Sequence, residues 1–301
     1  LAKFMWATLT NADFTDAVVR GAYFQNTKNF TQEQLYSTAS YKNKDLSGIR
    51  FKGNNLTGWD FANQNLEGAY FNSLILTNAN FVDANLTDTH FTNVDLRGAK
   101  LDDITGTPII KNTIWNDGVI KNFKMESKND SFTLRRYTSA KSRDIISAKI
   151  DTDASISNGA ALIIENGECL HITNNATLTL ADGGVLAFEA SDGSNSSVLI
   201  ESGSGFSFGE TSKIIVNLSE DFSTPQTFAV MNWTDFCKIS GTENLVKDQN
   251  IFVNFADGQS DVFWSFSITE SGLYLNIPEP STYAAVIGAI ALAFAVYRRR
   301  K

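Results

Sequence analysis

Large apolar residues recur at every fifth position through much of the first third of the chain. The main run holds twelve times without a break, at Leu46, Phe51, Leu56, Phe61, Leu66, Phe71, Leu76, Phe81, Leu86, Phe91, Leu96 and Leu101. A shorter run precedes it at Phe4, Leu9, Phe14, Val19 and Phe24. A period of five fits neither the 3.6-residue repeat of an α-helix nor the two-residue alternation of a strand. The pattern instead predicts a coil that turns a corner after each pentad and points every centre inwards.

Four pentads per coil would stack equivalent residues above one another at the strand spacing of about 4.8 Å. Phenylalanine and leucine alternate strictly as centres from residue 46 to residue 96, so like side chains would form columns. We predict an internal ladder of Phe51, Phe71 and Phe91, with Phe61 and Phe81 facing it and leucine columns on the other two sides. Alanines two positions before many centres would let the backbone corners approach closely.

The motif A(D/N)(L/F)xx, as in Ala79-Asn80-Phe81 and Ala84-Asn85-Leu86, resembles that of the pentapeptide-repeat family. The resemblance covers about residues 1–25 and 44–104, and it implies a right-handed quadrilateral β-helix. We assign this architecture to residues 1–104. Bulky residues such as Trp59 replace the small alanine at several places, where we expect local bulging.

The two runs are out of phase, which indicates an insertion between them at about residues 26–43. Thr31 followed by Gln34 has the pattern of a capping box. We therefore predict a short helix of about Gln32 to Tyr41 that protrudes from the solenoid.

Residues 105–147 have the pattern of connecting strands and turns, with a turn at Asp117-Gly118 and a hairpin within residues 123–134. An eight-residue repeat follows, and its turn pairs are Asn158-Gly159, Asn166-Gly167, Asn174-Asn175 and Asp182-Gly183. Apolar pairs keep the same step at Ala154/Ile156, Leu162/Ile164, Leu170/Ile172, Leu178/Leu180 and Leu186/Phe188. Each octad thus predicts a short strand with one buried face, followed by a tight turn.

Two architectures fit these octads. Turns in one direction would give a second β-solenoid, and chain reversal at each turn would give an antiparallel meander. We prefer the solenoid, because the chain already uses that architecture. The β-rich domain is assigned to residues 148–276, in which the regularity fades after Gly205 into strands that form a β cap.

The chain is moderately acidic, with 33 acidic and 25 basic residues and a formal net charge of −8. This balance argues against a general nucleic-acid binder, and we expect no nucleic-acid partner. Cys169 and Cys237 are the only cysteines, too few for a disulfide framework. We predict no metal and no cofactor.

Motifs for catalysis are sparse, since the sequence lacks a Walker loop, a dinucleotide fingerprint and HExxH. Cys169 and His171 would share the outward face of one octad, without a third ligand or an orienting group nearby. His90 directly precedes a repeat centre, which predicts a surface or corner position. We predict no catalytic residues and no enzymatic activity.

The end of the sequence, residues 277–301, combines three features in a fixed order. The processing motif Pro278, Glu279 and Pro280 comes first, and an uncharged run from Tyr283 to Tyr297 follows, short for a membrane-spanning helix. The basic cluster Arg298, Arg299, Arg300 and Lys301 comes last and would remain cytoplasmic. This arrangement resembles the bacterial PEP-CTERM sorting signal. The resemblance implies a transmembrane helix that holds the chain transiently in the inner membrane until an exosortase removes the tail.

These observations predict an exported bacterial cell-surface or extracellular-matrix protein with a structural or binding role. Its expected partners are an exosortase-type enzyme, the inner membrane and an envelope polysaccharide or matrix. We also expect upstream sequence with an export signal, because Leu1 falls inside a repeat. One alternative is an extracellular glycan-active β-helix enzyme, since parallel β-helices host lyases and hydrolases. A less favoured alternative is an acidic pentapeptide rod that imitates DNA; residues 44–104 carry eight acidic and five basic side chains.

Overall fold

The computed structural model describes residues 1–137, 146–191, 194–218, 226–234, 236–255 and 264–277. Strands account for 42% of the described residues and helix for 5%, which confirms the all-β prediction. The chain divides into two compact units, and each is described by itself. The first comprises residues 1–124 and 137–149, and the second comprises residues 125–136 and the chain from Ile150 onwards.

One side of the first unit is a five-stranded parallel sheet. Its strands, in sheet order, are β1 (Tyr23–Gln25), β2 (Arg50–Lys52), β3 (Tyr70–Asn72), β4 (His90–Thr92) and β5 (Ile109–Lys111). Phe51 pairs with Phe71, and Phe71 pairs with Phe91, each 20 residues further along the chain. Three more ladders of isolated parallel bridges repeat the same step, such as Asp60 with Asn80 and Asn80 with Lys100. Four pentads therefore make one coil, as predicted.

The corners of the coil are set by the second residue after each centre rather than by the alanines. Every pentad of the main run has a positive φ at this position. These residues are Gly48, Gly53, Gly58, Asn63, Gly68, Ser73, Asn78, Asp83, Asp88, Asn93, Gly98 and Asp103. Glycine, asparagine and aspartate tolerate this conformation better than other residues do. A backbone hydrogen bond closes most corners. The residue after the positive-φ position donates its N–H to the carbonyl of the central residue, as Ala84 does to Phe81 at 3.0 Å.

The interior contains the predicted ladder of aromatic rings. The Phe71 ring stacks on Phe51 at a centroid distance of 5.9 Å and on Phe91 at 5.2 Å. Phe61 and Phe81 stack at 5.2 Å on the facing side, and Phe81 meets Phe71 edge-on. All five rings are buried. Stacked and edge-to-face pairs of this kind add to the free energy gained from burying apolar area.

Bulky residues at the alanine position also point inwards and are accommodated. The side chains of Ile49, Trp59 and Leu74 are buried in the same core as the phenylalanines. The backbone keeps its 20-residue step through this region, as the bridge between Asp60 and Asn80 shows. The alanine position is therefore a second layer of the core rather than a spacer at the corner.

The insertion between the two runs folds as two short helices, α1 (Gln32–Tyr36) and α2 (Ala39–Lys42). The capping box at the start of α1 is confirmed: the Gln34 N–H donates to the Thr31 hydroxyl, and the Gln34 side-chain oxygen accepts from the Thr31 N–H. The expectation of a protrusion is wrong, because Leu35 is fully buried in the core of the coil. The Gln34 side-chain amide also donates to the carbonyls of Leu9 and Ala12, which fastens α1 to the first coil.

The predicted turn at Asp117-Gly118 is present and closes a hairpin. The hairpin consists of β6 (Thr113–Ile114) and β7 (Ile120–Lys121), which pair antiparallel. The hairpin predicted within residues 123–134 is wrong. Strand β8 (Ser131–Leu134) pairs parallel with the strand Ala161–Ile164, and Met125 forms a parallel bridge with Ile156. This segment is therefore part of the second unit's coil.

The second unit is built from three parallel sheets. Its further strands are β9 (Ala148–Ile150), β10 (Ala154–Ile156), β11 (Ala161–Ile164), β12 (Cys169–Ile172), β13 (Thr177–Leu180), β14 (Val185–Ser191), β15 (Ser194–Asn195), β16 (Ser197–Ile200), β17 (Gly205–Phe208), β18 (Lys213–Leu218), β19 (Gln226–Asn232), β20 (Lys238–Ser240), β21 (Ile251–Asn254), β22 (Ser265–Thr269) and β23 (Gly272–Ile277). A 3₁₀ turn covers Thr242–Asn244. The parallel core of each sheet follows the orders β8-β11-β14-β18-β21, β9-β12-β16-β19 and β10-β13-β17-β20.

Three octads make one coil here, so this unit is a solenoid and the meander alternative is wrong. Leu162 pairs with Leu186, 24 residues later. The step grows to 28 residues between Leu170 and Val198 and to 37 between Ile214 and Ile251. The loss of sequence regularity after Gly205 is therefore a lengthening of the turns, while the parallel strands continue.

Tight turns at the predicted pairs connect the octads. The Ala160 N–H donates to the Ser157 carbonyl across Asn158-Gly159 at 2.9 Å, and both turn residues have positive φ. The predicted inward pairs are buried apart from Ala154, which is half-buried. At the far end, the hairpin β22–β23 pairs antiparallel with β19 and covers the outer edge of that sheet. A covered edge removes a site for unwanted strand addition.

The predicted carboxyl-terminal hydrophobic helix lies outside the described residues. Among the residues that are described, none of the helices has the length and apolar character needed to cross a membrane.

Candidate functional site

The outward side of the β1–β5 sheet carries a column of rings and cations. Side chains alternate along the short strands, so the central phenylalanine of β1 to β4 points inwards and the residues on either side point outwards. In register across the coils, the first outward position ends at the apolar Ile109 of β5 and before it holds Lys3, Tyr23, Arg50, Tyr70 and His90. We call these five residues the ring–cation column.

The members of this column stack on one another. The Arg50 guanidinium carbon lies 4.8 Å from the ring centroid of Tyr23 and 4.2 Å from that of Tyr70. The His90 ring is almost parallel to Tyr70, at 4.2 Å and 8°. Lys3 adds a longer contact, with its Nζ 5.9 Å from the centre of the Tyr23 ring. Arg50 is thus held between two tyrosines, and the strand spacing brings each partner into range.

A second outward column runs beside the first, one residue after each central position. It consists of Gln25, Lys52, Asn72, Thr92 and Lys111. Lys52 is exposed, and a shallow groove lies between the columns around Arg50, Lys52, Tyr70 and Asn72. The five strands contain no aspartate or glutamate, although the whole chain has a net charge of −8.

Arg50 has unused hydrogen-bonding capacity. Its Nε is buried and has no hydrogen-bond partner, and a ligand cannot reach this atom, so the donors relevant to binding are the terminal nitrogens of the half-buried side chain. The ion pairs found among the described residues do not involve Arg50 or Lys52. A guanidinium presents several donors in a fixed plane and suits carboxylates in two-point contacts.

Other sides of the first unit carry amide ladders with a structural role. The Asn85 amide donates to the side-chain oxygen of Asn65, and the Asn80 amide donates to Asp60, both at 2.9 Å. The same oxygens accept backbone N–H groups two residues on, as Asp60 accepts from Ala62 at 2.9 Å. On these sides the side-chain oxygens and amides form hydrogen bonds with other atoms of the repeat. On the side with the ring–cation column, the Arg50 Nε has no such partner.

Among the described residues, the largest fully buried side chain belongs to Arg97, and it also has a structural role. Its guanidinium forms a two-point contact with Asp95, with the shortest distance 2.7 Å. It also donates to the Ile146 carbonyl at 3.1 Å and lies beneath the ring of Tyr137. The pair therefore fastens the segment around residues 137–149 to the coil of the first unit.

Cys169 and His171 lie on the outward side of the octad as predicted, but the expectation of no orienting group nearby is wrong, because Glu201 faces the His171 ring. Leu170 and Ile172 are buried, while Cys169 and His171 lie on the opposite side of β12. His171 Nδ1 is 3.4 Å from Glu201 Oε1, and burial raises the pKa of the Cys169 thiol. Both cysteines are free thiols, and the described part of the chain contains no cluster of three potential metal ligands.

The remaining predicted site residues lie outside the described part of the chain. They are the processing motif Pro278, Glu279 and Pro280 and the basic cluster Arg298, Arg299, Arg300 and Lys301. His90 lies on the surface strand β4, within the ring–cation column. Sequence reasoning missed this column. The available signal was the residue before each of Phe24, Phe51, Phe71 and Phe91, which is aromatic or cationic instead of asparagine or aspartate.

Parallel β-coils with continuous outward faces define the class of rigid repeat scaffolds, in which neighbouring repeats supply each other's hydrogen bonds. Within that class, the model of the family "Pentapeptide repeats" matches residues 2–32, 45–81 and 65–103, in eight copies. The chain therefore contains a pentapeptide-repeat region that corresponds to the four-sided coil. A comparison with curated proteins gives no match.

Proposed function

We propose that this chain is an exported bacterial surface or extracellular-matrix scaffold whose tail is a sorting signal processed by an exosortase. The three-part tail carries this proposal: Pro278-Glu279-Pro280, the uncharged run and the basic cluster in that order. Prolines disfavour helix and would keep a strip before the apolar run extended, which would suit recognition by a processing enzyme. The basic cluster would hold the end of the chain on the cytoplasmic side.

The pentapeptide-repeat region supports a structural or binding role over an enzymatic one. Proteins with these repeats are generally structural. Their rigid coils present the same side-chain positions at a regular step, which suits recognition of an extended partner. Release of products from a panel of glycans by the purified protein would contradict this part of the proposal.

Cell fractionation tests the sorting function. The wild-type chain is expressed with an export signal in a bacterium that contains an exosortase, beside a Pro278→Ala/Pro280→Ala variant. We expect wild-type protein at the cell surface or in the matrix, and the variant retained in the inner-membrane fraction. Pro108→Ala, a proline change outside the tail, is the matched control and should be sorted normally. Wild-type protein that stays in the cytoplasmic or inner-membrane fraction would refute the proposal.

A further inference from the structure

We propose that the side of the β1–β5 sheet with the ring–cation column binds an acidic polysaccharide, through the carboxylates of its uronic acid residues. The proposal depends on charge complementarity. The sheet's strands contain no acidic residue and contribute Arg50 and Lys52, which take part in none of the ion pairs found among the described residues, in a chain whose net charge is −8. A local surplus of cations on an acidic protein concentrates anionic ligands at that surface.

Arg50 and Lys52 supply the donors for this ligand. Arg50 is fixed between the rings of Tyr23 and Tyr70, at 4.8 and 4.2 Å, so little side-chain entropy is lost when it binds. Its guanidinium suits a carboxylate, and the exposed ammonium of Lys52 follows two residues later on the same strand. Both border the groove that also contains Asn72.

The spacing of the column suits a chain-like ligand. Outward positions repeat once per coil, at about 4.8 Å. This step is comparable to the length of one pyranose residue in an extended polysaccharide. A single chain that crosses the strands could therefore place successive sugar residues beside Lys52, Asn72 and Thr92, which are in register.

Stacking within the column disfavours single-stranded nucleic acid as the ligand. Proteins that bind single strands without sequence preference offer free aromatic faces on which bases stack. Here the Tyr70 ring has Arg50 at 4.2 Å and the His90 ring at 4.2 Å. Both faces of the Tyr70 ring are therefore covered by protein side chains, so a base cannot stack there. The donors of Arg50 and Lys52 remain for the carboxylates and hydroxyls of a sugar.

This inference rests on the proposed function only in placing the protein among extracellular glycans, and binding itself can be measured without export. The full chain in neutral detergent is titrated with polygalacturonate, with neutral dextran and single-stranded DNA as comparison polymers. We expect polygalacturonate to bind tightest, with an affinity that falls as salt is raised. Arg50→Gln and Lys52→Gln should each weaken binding by about tenfold, since each removes a charge-assisted contact.

Lys100→Gln is the matched control, because Lys100 is an exposed lysine on another ladder of the same unit. It should change the affinity by less than about twofold, as expected for a distant charge screened by salt. Circular dichroism and thermal melting check that each variant keeps the fold. If Arg50→Gln disturbs the fold, the affinity of the Lys52→Gln variant is the deciding measurement, because the Lys52 side chain is exposed.

Equal weakening by Lys52→Gln and Lys100→Gln would overturn the proposal, because it would show non-specific charge attraction. Polygalacturonate binding no tighter than dextran would overturn it too, and so would tighter binding of the DNA. If binding fails while fractionation still places the protein at the surface, only this inference is refuted and the sorting function stands.

Discussion

Single residues at the corners determine how tightly the pentapeptide coil can turn. Each corner of the main run needs a positive φ, and a glycine, asparagine, aspartate or serine occupies each one. The sequence contains this signal, but the more conspicuous alanines beside it suggest the wrong corner position. They form an inner layer instead, which explains why Ile49, Trp59 and Leu74 can replace them. The alanine position therefore tolerates side chains of different size, whereas the corner position requires a residue that can adopt a positive φ.

Glycine substitutions separate backbone strain from crowding. Gly58 has φ +73°, and a Cβ added there would have no neighbouring atom within 4 Å, so Gly58→Ala should lower the free energy of unfolding by about 1 kcal/mol through strain alone. Gly106→Ala should cost more, because its Cβ would lie 2.5 Å from the Thr87 backbone nitrogen. Chemical denaturation of both variants measures the difference. Gly58→Asn is the control and should cost less than Gly58→Ala, and equal losses for the two alanine variants would contradict this account.

The buried Arg97–Asp95 pair gives a second prediction at this scale. Arg97→Ala should lower the free energy of unfolding by about 3–5 kcal/mol, because it leaves the Asp95 carboxylate buried without its partner. Replacing both residues by leucine should cost less than the single change, since no unpaired charge remains. Thermal and urea denaturation provide the measurement. A loss below about 1 kcal/mol for Arg97→Ala would show that the pair is unimportant.

At the scale of elements, periodicity predicted the strands and their stacking but not every connection. The five-residue and eight-residue steps directly indicated which side chains point inwards, because a repeated inward position must be apolar. The Thr31 and Gln34 pattern likewise located the start of α1. The position of that helix was not predictable, since one apolar residue among polar neighbours does not reveal where a short helix packs. The hairpin expected within residues 123–134 failed for a related reason: a turn pattern does not identify the strand's partner, and β8 pairs with β11.

The α1 helix tests whether the insertion belongs to the core. Leu35→Ala should lower the free energy of unfolding by about 2–5 kcal/mol, because it opens a cavity beside buried apolar side chains. Glu33→Ala, on the exposed side of the same helix, is the matched control and should cost less than about 1 kcal/mol. Denaturation curves of the two variants decide the question. Equally small losses would restore the expectation of a protruding helix.

At the scale of the whole molecule, charge is distributed unevenly over an acidic chain. The strands β1–β5 contribute cations alone, whereas acidic residues occupy other positions of the repeat, such as Asp60, Asp83 and Asp102. A rod that imitates DNA needs a continuous acidic surface. The ring–cation column interrupts such a surface and favours the binding of an acidic partner. Sequence composition gave only the net charge, and the register of the coils was needed to locate the basic side.

The most direct test of the central proposal is the intact mass of the mature protein recovered from the cell surface or matrix. An exported scaffold released by an exosortase should have lost the end of its chain, and its mass should exclude Arg298, Arg299, Arg300 and Lys301. Mature protein from the same fraction that retains these four residues would contradict processing and would make the tail a simple membrane anchor.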